Sequence, residues 1–383
     1  MDTNEILVVY GSDISGMAIA LAREAKLAEL IDESISESKG DRSKRIGIKP
    51  NLVTAKPASS GATTHPEIAA GLISYLKENG FNNLVILEGA WTGGSTSEAF
   101  RVCKYSELAK ATGVELIDTK QDKSRACDCR GMKINICESA LAVDFMINLP
   151  VMKGHCQTLV TCALKNNKGI IPDSEKRRFH ALGLHKPIAH LNTVARNDFI
   201  IVDGICGDLD FEEGGNPLYA GRMFAARDPV LCDAWASAQM GYAVYDIPYI
   251  GLAEKLGIGS SDIGKAKVRE LNSARQAATP RPSGKVSQLA GYIAEDNACS
   301  ACYASLVFAL SRIGPNSARE WTGRLKEKFC VGQGYKGKQG TLGIGQCTSS
   351  FKLSCPGCPP SGADVLEFLK ILSHKEHKGT EGY

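Results

Sequence analysis

Short apolar runs rich in β-branched residues alternate with amphipathic segments between residues 6 and 241, and this alternation restricts the fold more than any other feature. Six runs bounded by turn residues predict strands, at 6–10, 45–53, 83–89, 114–119, 143–150 and 198–204. Apolar residues recur at helical spacing between several of these runs, for example over 17–31. We therefore predict an α/β fold with a mostly parallel sheet and flanking helices.

Three positions in this part of the chain carry signals for the start of a helix. Thr64 with Glu67, and Ser95 with Glu98, fit the capping box, in which a hydroxyl and a carboxyl group three residues apart bind free backbone amides. Asp228 followed by a proline predicts a further helix start.

The character of the sequence changes after about residue 241. Strand-like runs become scarce, and glycine, proline and serine interrupt the helical segments. Because 383 residues exceed what one hydrophobic core usually holds, we expect more than one domain. We assign an α/β domain with a substrate cleft to 1–241, a connecting segment to 242–285, a cysteine-rich helical and irregular element to 286–372, and a disordered tail to 373–383.

Composition and charge argue against several functional classes. A net charge of +3 without a long basic run does not indicate binding to nucleic acid or to an acidic membrane surface. No apolar run approaches the roughly 18 residues of a membrane span, and the first residues lack the features of a signal peptide. Fourteen cysteines are too few for a disulfide scaffold in this length, so we expect a cytoplasmic protein with reduced thiols.

Nucleotide-binding motifs are not supported either. Residues 332–337 fit G-x-G-x-x-G, but no convincing strand precedes them and cysteines flank them on both sides. The chain contains no P-loop motif, so the sequence gives no indication of ATP-driven chemistry.

Residues 299–360 concentrate the cysteines that are spaced for metal binding. They comprise two C-x-x-C pairs and two single residues: Cys299 with Cys302, Cys355 with Cys358, Cys330, and Cys347. Two such pairs supply four thiolates, which suits a tetrahedral zinc ion or a [4Fe–4S] cluster. A proline directly after the last cysteine and the many glycines between the pairs favour iron. Cys330 has no partner at ligand spacing and is predicted to be a buried thiol.

Several polar residues follow predicted strands, where ligands bind in α/β sheets. His155 is the candidate proton donor and Lys165 the candidate anchor for an anion. If 157–166 is helical, Thr158, Cys162 and Lys165 share one face of that helix. The alternative is a solvated lysine and a histidine bound to backbone. The predicted substrate-binding residues lie near these positions or in the basic segment that follows: Lys49, Asn51, Glu88, Lys153, Thr158, Asn166, His180 and Asp203.

Three other polar groups are expected to have no functional role. The basic segment 176–190 is predicted to be a solvated loop, apart from His180. The acidic residues of 208–213 could hold a divalent cation, but an exposed loop suits charged residues between glycines better. The third group is spaced too loosely for a metal cage: Cys127, Cys129 and Cys137.

Several phrases of the chain, in order, resemble the iron–sulfur centre family catalogued as domain of unknown function 362: IKPNLV, THPE, NLPVMKGH, TCALKNNKG, VDGI, EGGNPLYAG, DPVLCDAWASAQMG, GIGQC and GCPP. The resemblance implies an α/β domain with a C-terminal [4Fe–4S] element. It also implies a set of cluster ligands: Cys299, Cys302, Cys347 and Cys358, with Cys355 as the alternative. The α/β part is distantly similar to the N-terminal domain of nickel-dependent lactate racemases, where histidines and a lysine surround a bound cofactor.

The leading hypothesis is a cytosolic iron–sulfur oxidoreductase from an anaerobic source. In it, a [4Fe–4S] cluster relays single electrons to a small anionic substrate or second cofactor in the cleft, and a ferredoxin-like protein supplies them. The alternatives are a Lewis-acid enzyme with one open iron, of the dehydratase, desulfurase or isomerase type, and a non-catalytic redox sensor. Neither the residues nor the resemblance identifies a substrate.

Overall fold

The computed structural model of the chain describes residues 1–34, 42–273 and 282–377. The chain divides into two compact units: Met1–Phe179 with Leu184–Pro282, and His180–Gly183 with Ser283–Tyr383.

The first unit combines a large sheet with helices and two small hairpins. Its strands are β1 (Glu5–Tyr10), β2 (Ile46–Pro50), β3 (Leu84–Glu88), β4 (Glu115–Asp118), β5 (Ser124–Asp128), β6 (Lys133–Cys137), β7 (Phe145–Leu149), β8 (Lys153–His155), β9 (Leu159–Thr161), β10 (Phe199–Gly207), β11 (Leu218–Ala226) and β12 (Lys267–Glu270). Its helices are α1 (Ile14–Glu24), α2 (Leu27–Glu33), α3 (Pro66–Glu78), α4 (Thr96–Val102), α5 (Tyr105–Thr112), α6 (Glu138–Leu141), α7 (Ala163–Asn166), α8 (Asp173–Leu182, whose last residues fall in the second unit), α9 (His185–Leu191), α10 (Pro229–Gln239) and α11 (Pro248–Lys255).

Eight of the described strands form one sheet in the order β12-β1-β11-β10-β7-β2-β3-β4. The run from β10 to β4 is parallel throughout, and β12 is parallel to β1. Only β11 is antiparallel to both of its neighbours. The predicted α/β fold with a mostly parallel sheet and flanking helices is confirmed.

Apolar residues cover both faces of this sheet. In β1, Ile6 and Val8 are buried in one core, and Leu7 and Val9 are buried in the other. Successive side chains of a strand point to opposite faces, so a strand covered on both faces needs a continuous apolar run. This explains why the strand predictions from apolar runs succeeded.

Residues 157–166 do not form one helix, so the shared helix face considered for Thr158, Cys162 and Lys165 does not exist. Here β8 and β9 form an antiparallel hairpin, and α7 is a single turn that begins only at Ala163. Leu159 has a left-handed backbone with φ of 60°, which a right-handed helix does not allow. The following Val160 and Thr161 are β-branched and favour a strand.

The predicted helix starts have mixed outcomes. Ser95 accepts a hydrogen bond from the Glu98 amide, and Asp228 caps α10, as expected. The capping box at Thr64 is wrong, because α3 begins after His65 without a side-chain cap. The Thr64 hydroxyl instead donates to the Leu149 carbonyl on the neighbouring strand.

The described residues 242–273 belong to the first unit and do not form a separate connecting segment. Tyr249, Ile250 and Ala253 of α11 are buried in one of the sheet's two cores, and β12 extends the sheet beside β1. Glycine and proline in this segment suggested a connection, but its apolar residues are spaced for packing as a helix. The rest of the predicted connection includes 274–281, which lies outside the described residues.

The second unit contains a small parallel sheet that the sequence analysis missed. Its elements are α12 (Lys285–Ala290), β13 (Ile293–Glu295), α13 (Ser300–Ile313), α14 (Pro315–Leu325), β14 (Phe329–Val331), β15 (Leu342–Ile344), β16 (Leu353–Cys355) and α15 (Gly362–His377). The four strands pair in sequence order and are all parallel. Three-residue strands are too short to show a period of two.

Two details of the second unit differ from expectation. A strand does precede the G-x-G-x-x-G motif, but a 3-10 turn at Gln333–Tyr335 follows, where a dinucleotide site requires a helix. Helix α15 continues to His377, beyond the predicted start of the tail at residue 373. Residues 378–383 lie outside the described part of the chain. Within the described residues, no helix combines the length and apolarity that a membrane span requires.

Gly71 lets α3 pack closely against α1, and its replacement should destabilise the fold. A Cβ atom there would lie 2.6 Å from the Ser15 carbonyl oxygen and 3.2 Å from the Ala18 Cβ atom. We predict that Gly71→Ala lowers the free energy of unfolding in urea by about 1–3 kcal/mol. The control is Gly251→Ala in α11, where a Cβ atom meets nothing within 4 Å. It should be neutral or stabilising by up to ~1 kcal/mol, and equal effects of the two changes would contradict the packing argument.

Candidate functional site

A buried ion pair joins the carboxyl ends of β2 and β3. Lys49 Nζ lies 2.7 Å from Glu88 Oε2, and the two side chains are 0% and 3% exposed. The Leu52 amide donates to Glu88 Oε2 and the Gly89 amide to Oε1, so both carboxylate oxygens are bound. Burial lowers the pKa of Lys49, and Glu88 opposes this shift. Gly169 lies directly against the pair, where a Cβ atom would collide with Glu88 Oε1 and Lys49 Nζ.

A chain of buried side-chain amides lies next to this pair. Asn51 Nδ2 donates to Asn166 Oδ1, and Asn166 Nδ2 donates to Asn148 Oδ1, each at 2.7 Å. Lys153 Nζ donates to Asn51 Oδ1 at 2.8 Å. The structure thus brings three predicted residues into direct contact and adds Asn148, which the sequence analysis missed, at the end of this chain of amides. The signal for it was a polar residue inside the otherwise apolar strand β7.

The hairpin of β8 and β9 presents Lys153 and His155 on one side, because residues two apart in a strand face the same way. Gly154 between them leaves room for another backbone. A Cβ atom at Gly154 would lie 2.2 Å from the Leu209 carbonyl oxygen, and the Gly154 amide donates to the Asp208 carbonyl at 2.8 Å. The loop that follows β10 therefore lies directly on this hairpin.

This loop places Glu212 between the two predicted catalytic residues. Its Oε1 forms an ion pair with Lys165 Nζ, and its Oε2 lies 3.1 Å from His155 Nε2. Burial alone would raise the pKa of Glu212, but Lys165 and His155 hold it well below its usual range. Glu212 is therefore an ionised member of the site that sequence reasoning missed.

The prediction of an exposed acidic loop over 208–213 is wrong for Glu212 and for Asp208. Asp208 is fully buried, and its carboxylate accepts the amides of Asp210, Phe211 and Asn216, each at 3.0 Å. These carboxylates bind amides and basic side chains instead of water. The partner of Glu212 on α7 lies 47 residues earlier, so no pattern within the loop itself could show it.

His155 is held in one tautomer. Its Nδ1 accepts the backbone amides of Gln157 and Thr158, both at 3.1 Å, so Nε2 carries the proton and donates to Glu212. Burial and Lys165 lower the pKa of His155 to about 4. The imidazole is therefore neutral at pH 7, and the role of His155 as a proton donor stays a prediction.

The site contains more lysines than carboxylates. Burial lowers the pKa of Lys153 to about 7, and burial and Lys165 lower that of Lys168 to about 7. Lys176 is buried, not solvated as predicted, and donates to the carbonyls of Gly89 and Ala90. The lysines of the site are Lys49, Lys153, Lys165, Lys168 and Lys176. Ion pairs join Lys49 to Glu88, Lys165 to Glu212 and Lys176 to Asp173. A desolvated surplus of positive charge favours an anion.

Three further residues were predicted to bind the substrate, and the structure gives each of them a different position: Thr158, Asp203 and His180. The Thr158 hydroxyl donates to the Val160 carbonyl within the hairpin. Asp203 Oδ2 lies 2.9 Å from the His65 amide nitrogen and 2.8 Å from His65 Nδ1, so Asp203 fixes the start of α3. His180 falls in the second unit, and its role in the cleft stays a prediction.

A third group of buried side chains combines Cys162, Cys232 and Asp233, whose ligand atoms lie within 4.8 Å of one another. The Asp233 carboxylate already accepts the backbone amides of Ala163 and Leu164. Its contacts therefore fix the first turn of α7, which explains why Cys162 faces the interior and not the lysines.

The second unit gathers its cysteines at the carboxyl edge of its sheet. Because all four strands are parallel, the turns that follow them meet at one edge. Cys299 follows β13 and precedes α13, whose first turn contains Cys302. Gln333 follows β14, Cys347 follows β15, and Cys358 follows β16.

Strand pairing distinguishes Cys358 from Cys355. Ile344 of β15 pairs with Cys355 of β16, so Cys347 and Cys358 each lie three residues beyond this paired position. Cys355 itself is 2% exposed, within the sheet, and burial and Asp364 raise its pKa. The geometry therefore favours Cys358 as the residue equivalent to Cys347.

The thiols at this edge approach one another. Burial and the thiols of Cys299, Cys358 and Cys347 raise the pKa of Cys302 to about 12. Gln333 Nε2 donates to Cys299 Sγ at 3.6 Å. Cys358 is exposed and the other three cysteines are partly buried. Four thiolates gathered at one edge repel one another unless a cation is shared between them, so the donor set fits a metal centre.

These sulfurs are spaced more widely than the ligands of a single bound ion. Within the part of the chain that the structure describes, no three of them lie within 4.8 Å of one another. A tetrahedral zinc ion with Zn–S bonds of about 2.3 Å needs sulfurs about 3.8 Å apart. Gly345, with φ of 89°, leaves space beside the thiols, since a Cβ atom there would lie 3.3 Å from Cys302 Sγ.

Comparison with known proteins identifies the family. Residues 46–238, half of the chain, match the family model described as Domain of unknown function (DUF362). The chain belongs to this family. The DUF362 match contains the lysine site and ends before the C-terminal cysteines. Thylakoid-associated protein sll1697 of Synechocystis sp. is 23% identical to this DUF362 chain over 225 residues, covering 56% of the chain and 68% of that protein.

Two histidines of this DUF362 protein should have pKa values that are shifted in opposite directions. His155, with its pKa lowered to about 4 by burial and Lys165, should stay neutral from pH 8 to 5 in ¹⁵N NMR spectra. Burial also acts to lower the pKa of His65, but Asp203 outweighs it, so His65 should stay protonated above its usual pKa of about 6.5. Glutamine substitutions at the two positions assign the signals.

The same shift has a defined effect on stability. Because folding lowers the pKa of His155, its neutral form contributes fully above pH ~6.5, and this contribution is lost as the pH falls towards 4. A His155 signal that titrates near pH 6.5 would contradict the neutral site.

Proposed function

We propose that this DUF362 protein is a cytoplasmic iron–sulfur oxidoreductase that acts on a small anionic substrate or a second cofactor bound by the first unit. When bound, a [4Fe–4S] cluster supplies single-electron chemistry. Since one cluster carries one electron at a time, we propose a ferredoxin-like protein as the electron donor. A reducing compartment agrees with the free thiols of all fourteen cysteines.

The observation that carries this proposal is the meeting of four thiols at one edge of a parallel sheet. Cys299 and Cys302 come from the first turn, and Cys347 and Cys358 occupy equivalent positions after two paired strands. Gln333 donates a hydrogen bond to one of the sulfurs. Four cysteines saturate the irons of a cubic cluster, which favours electron transfer over an open Lewis-acid iron.

The substrate part of the proposal rests on the surplus of lysines in the first unit. Lys165 and the neutral His155 bind one carboxylate between them. With His155 neutral, proton transfer near pH 7 falls to Lys153 or Lys168, each with a pKa of about 7. We assign it to Lys168, because this side chain is partly exposed whereas that of Lys153 is fully buried.

Analysis of iron tests the metal centre and its ligands. Protein purified without oxygen should contain about four iron and four sulfide per chain, and should give an EPR signal after reduction with dithionite. Cys358→Ser should lose iron or alter this signal, whereas Cys355→Ser should retain both. Zinc without sulfide would overturn the redox proposal, and iron loss only in Cys355→Ser would reverse the ligand assignment.

The hydrogen bond from Gln333 should influence the reduction potential. It stabilises negative charge on the Cys299 sulfur, which increases on reduction. We predict that Gln333→Leu makes the potential more negative by roughly 40 mV, the equivalent of one hydrogen bond of about 1 kcal/mol. Gln346→Leu is the matched control, because this exposed glutamine also follows a strand and a glycine. Equal potentials in the two variants would show that Gln333 does not act on the sulfur.

A further inference from the structure

The carboxylate of Glu212 fills a binding position formed by two donors. Lys165 Nζ contacts Oε1, and His155 Nε2 lies 3.1 Å from Oε2. His155 can donate only from Nε2, because backbone amides occupy its Nδ1. The two donors thus bind the two oxygens of one carboxylate, an arrangement that would serve equally for the carboxylate of a ligand.

Glu212 is the exposed member of this contact. The side chains of Lys165 and His155 are 2% and 4% exposed, whereas that of Glu212 is 24% exposed. The donors belong to the interior, and the carboxylate reaches them from the solvent side. A ligand from solution would take the same path.

Displacement of Glu212 needs only a rotation of its side chain. Lys153 Nζ donates to the Glu212 carbonyl at 3.0 Å, and Lys56 Nζ donates to the Glu213 carbonyl at 2.8 Å. Asp208 binds further amides of the same loop. None of these contacts uses the Glu212 carboxylate, so the backbone can stay in place while the side chain turns outward.

We propose that the lysine site binds a small carboxylate whose carboxyl group replaces that of Glu212, which closes the site when no ligand is bound. This inference rests on the anion site of the proposed function and narrows its ligand to carboxylates. Lys153 Nζ, which donates to the Glu212 carbonyl, adds a further basic group beside this position, so a second acidic group on the ligand would be favoured. Oxalate is therefore a suitable probe.

Calorimetric titration of the full chain with oxalate tests the proposal. Glu212→Gln keeps the size of the side chain but removes the competing charge, so it should bind oxalate about tenfold more tightly than the wild type. Glu213→Gln is the matched control, because Lys56 contacts Glu213 through its backbone carbonyl, and this variant should stay within about twofold of the wild type. Inorganic phosphate is titrated in parallel. The Glu212→Gln substitution should increase the affinity for phosphate less than the affinity for oxalate.

Several outcomes would overturn the inference. Unchanged or weaker oxalate binding in a folded Glu212→Gln variant would mean that Glu212 supports the site and does not compete for it. A larger gain in affinity for phosphate than for oxalate would contradict the proposal that the ligand is a carboxylate. If the variant does not fold, ¹⁵N NMR of the wild type decides: saturating oxalate should shift the His155 Nε2 signal, and an unmoved signal contradicts the proposal.

Iron analysis separates this inference from the redox proposal. Iron-free protein that binds oxalate as described would overturn the proposed oxidoreductase but support the carboxylate site. Conversely, the protein could contain four irons while its Glu212→Gln variant binds oxalate no more tightly than the wild type. This result would support the oxidoreductase and overturn the carboxylate site.

Discussion

The buried ion pair of Lys49 and Glu88 is the constraint on which the lysine site depends. Removing two charges from water costs several kcal/mol per ion, so such a pair is retained only where further hydrogen bonds complete it. Here the amides of Leu52 and Gly89 bind the carboxylate, and Gly169 has no side chain to push the pair apart. The turns after β2 and β3 and the segment after α7 must therefore meet at this point, and the asparagines and lysines around it follow from that meeting.

Sequence reasoning could place part of this site because parallel strands end at a common edge. Lys49, Asn51, Glu88 and Lys153 were predicted from their positions after apolar runs, and the structure brings them together for this reason. It could not place Glu212, because only the close approach of the loop to Gly154 turns this carboxylate inward. That approach depends on tertiary packing, which the local sequence does not show. A run of acidic residues between glycines by itself predicts an exposed loop.

The cysteines of the second unit show a different limit of prediction from sequence. Their spacing gives the local pairs from sequence alone, yet the choice between Cys355 and Cys358 depends on the register of strands that are too short to predict. Once Ile344 is seen to pair with Cys355, the latter belongs to the sheet, and Cys358 takes the place equivalent to Cys347. Motif spacing thus limits the ligand set, and strand register selects within it.

Each unit contains groups whose charged forms are disfavoured where they lie. In the first unit, burial and nearby lysines lower the pKa values of Lys153 and Lys168 to about 7. In the second, burial and neighbouring thiols raise the pKa of Cys302 to about 12. A ligand of opposite charge would favour the charged forms, an anion in one case and a metal centre in the other. A ligand that binds only the folded state in this way also stabilises the fold, so in each unit binding and stability are linked through the same side chains.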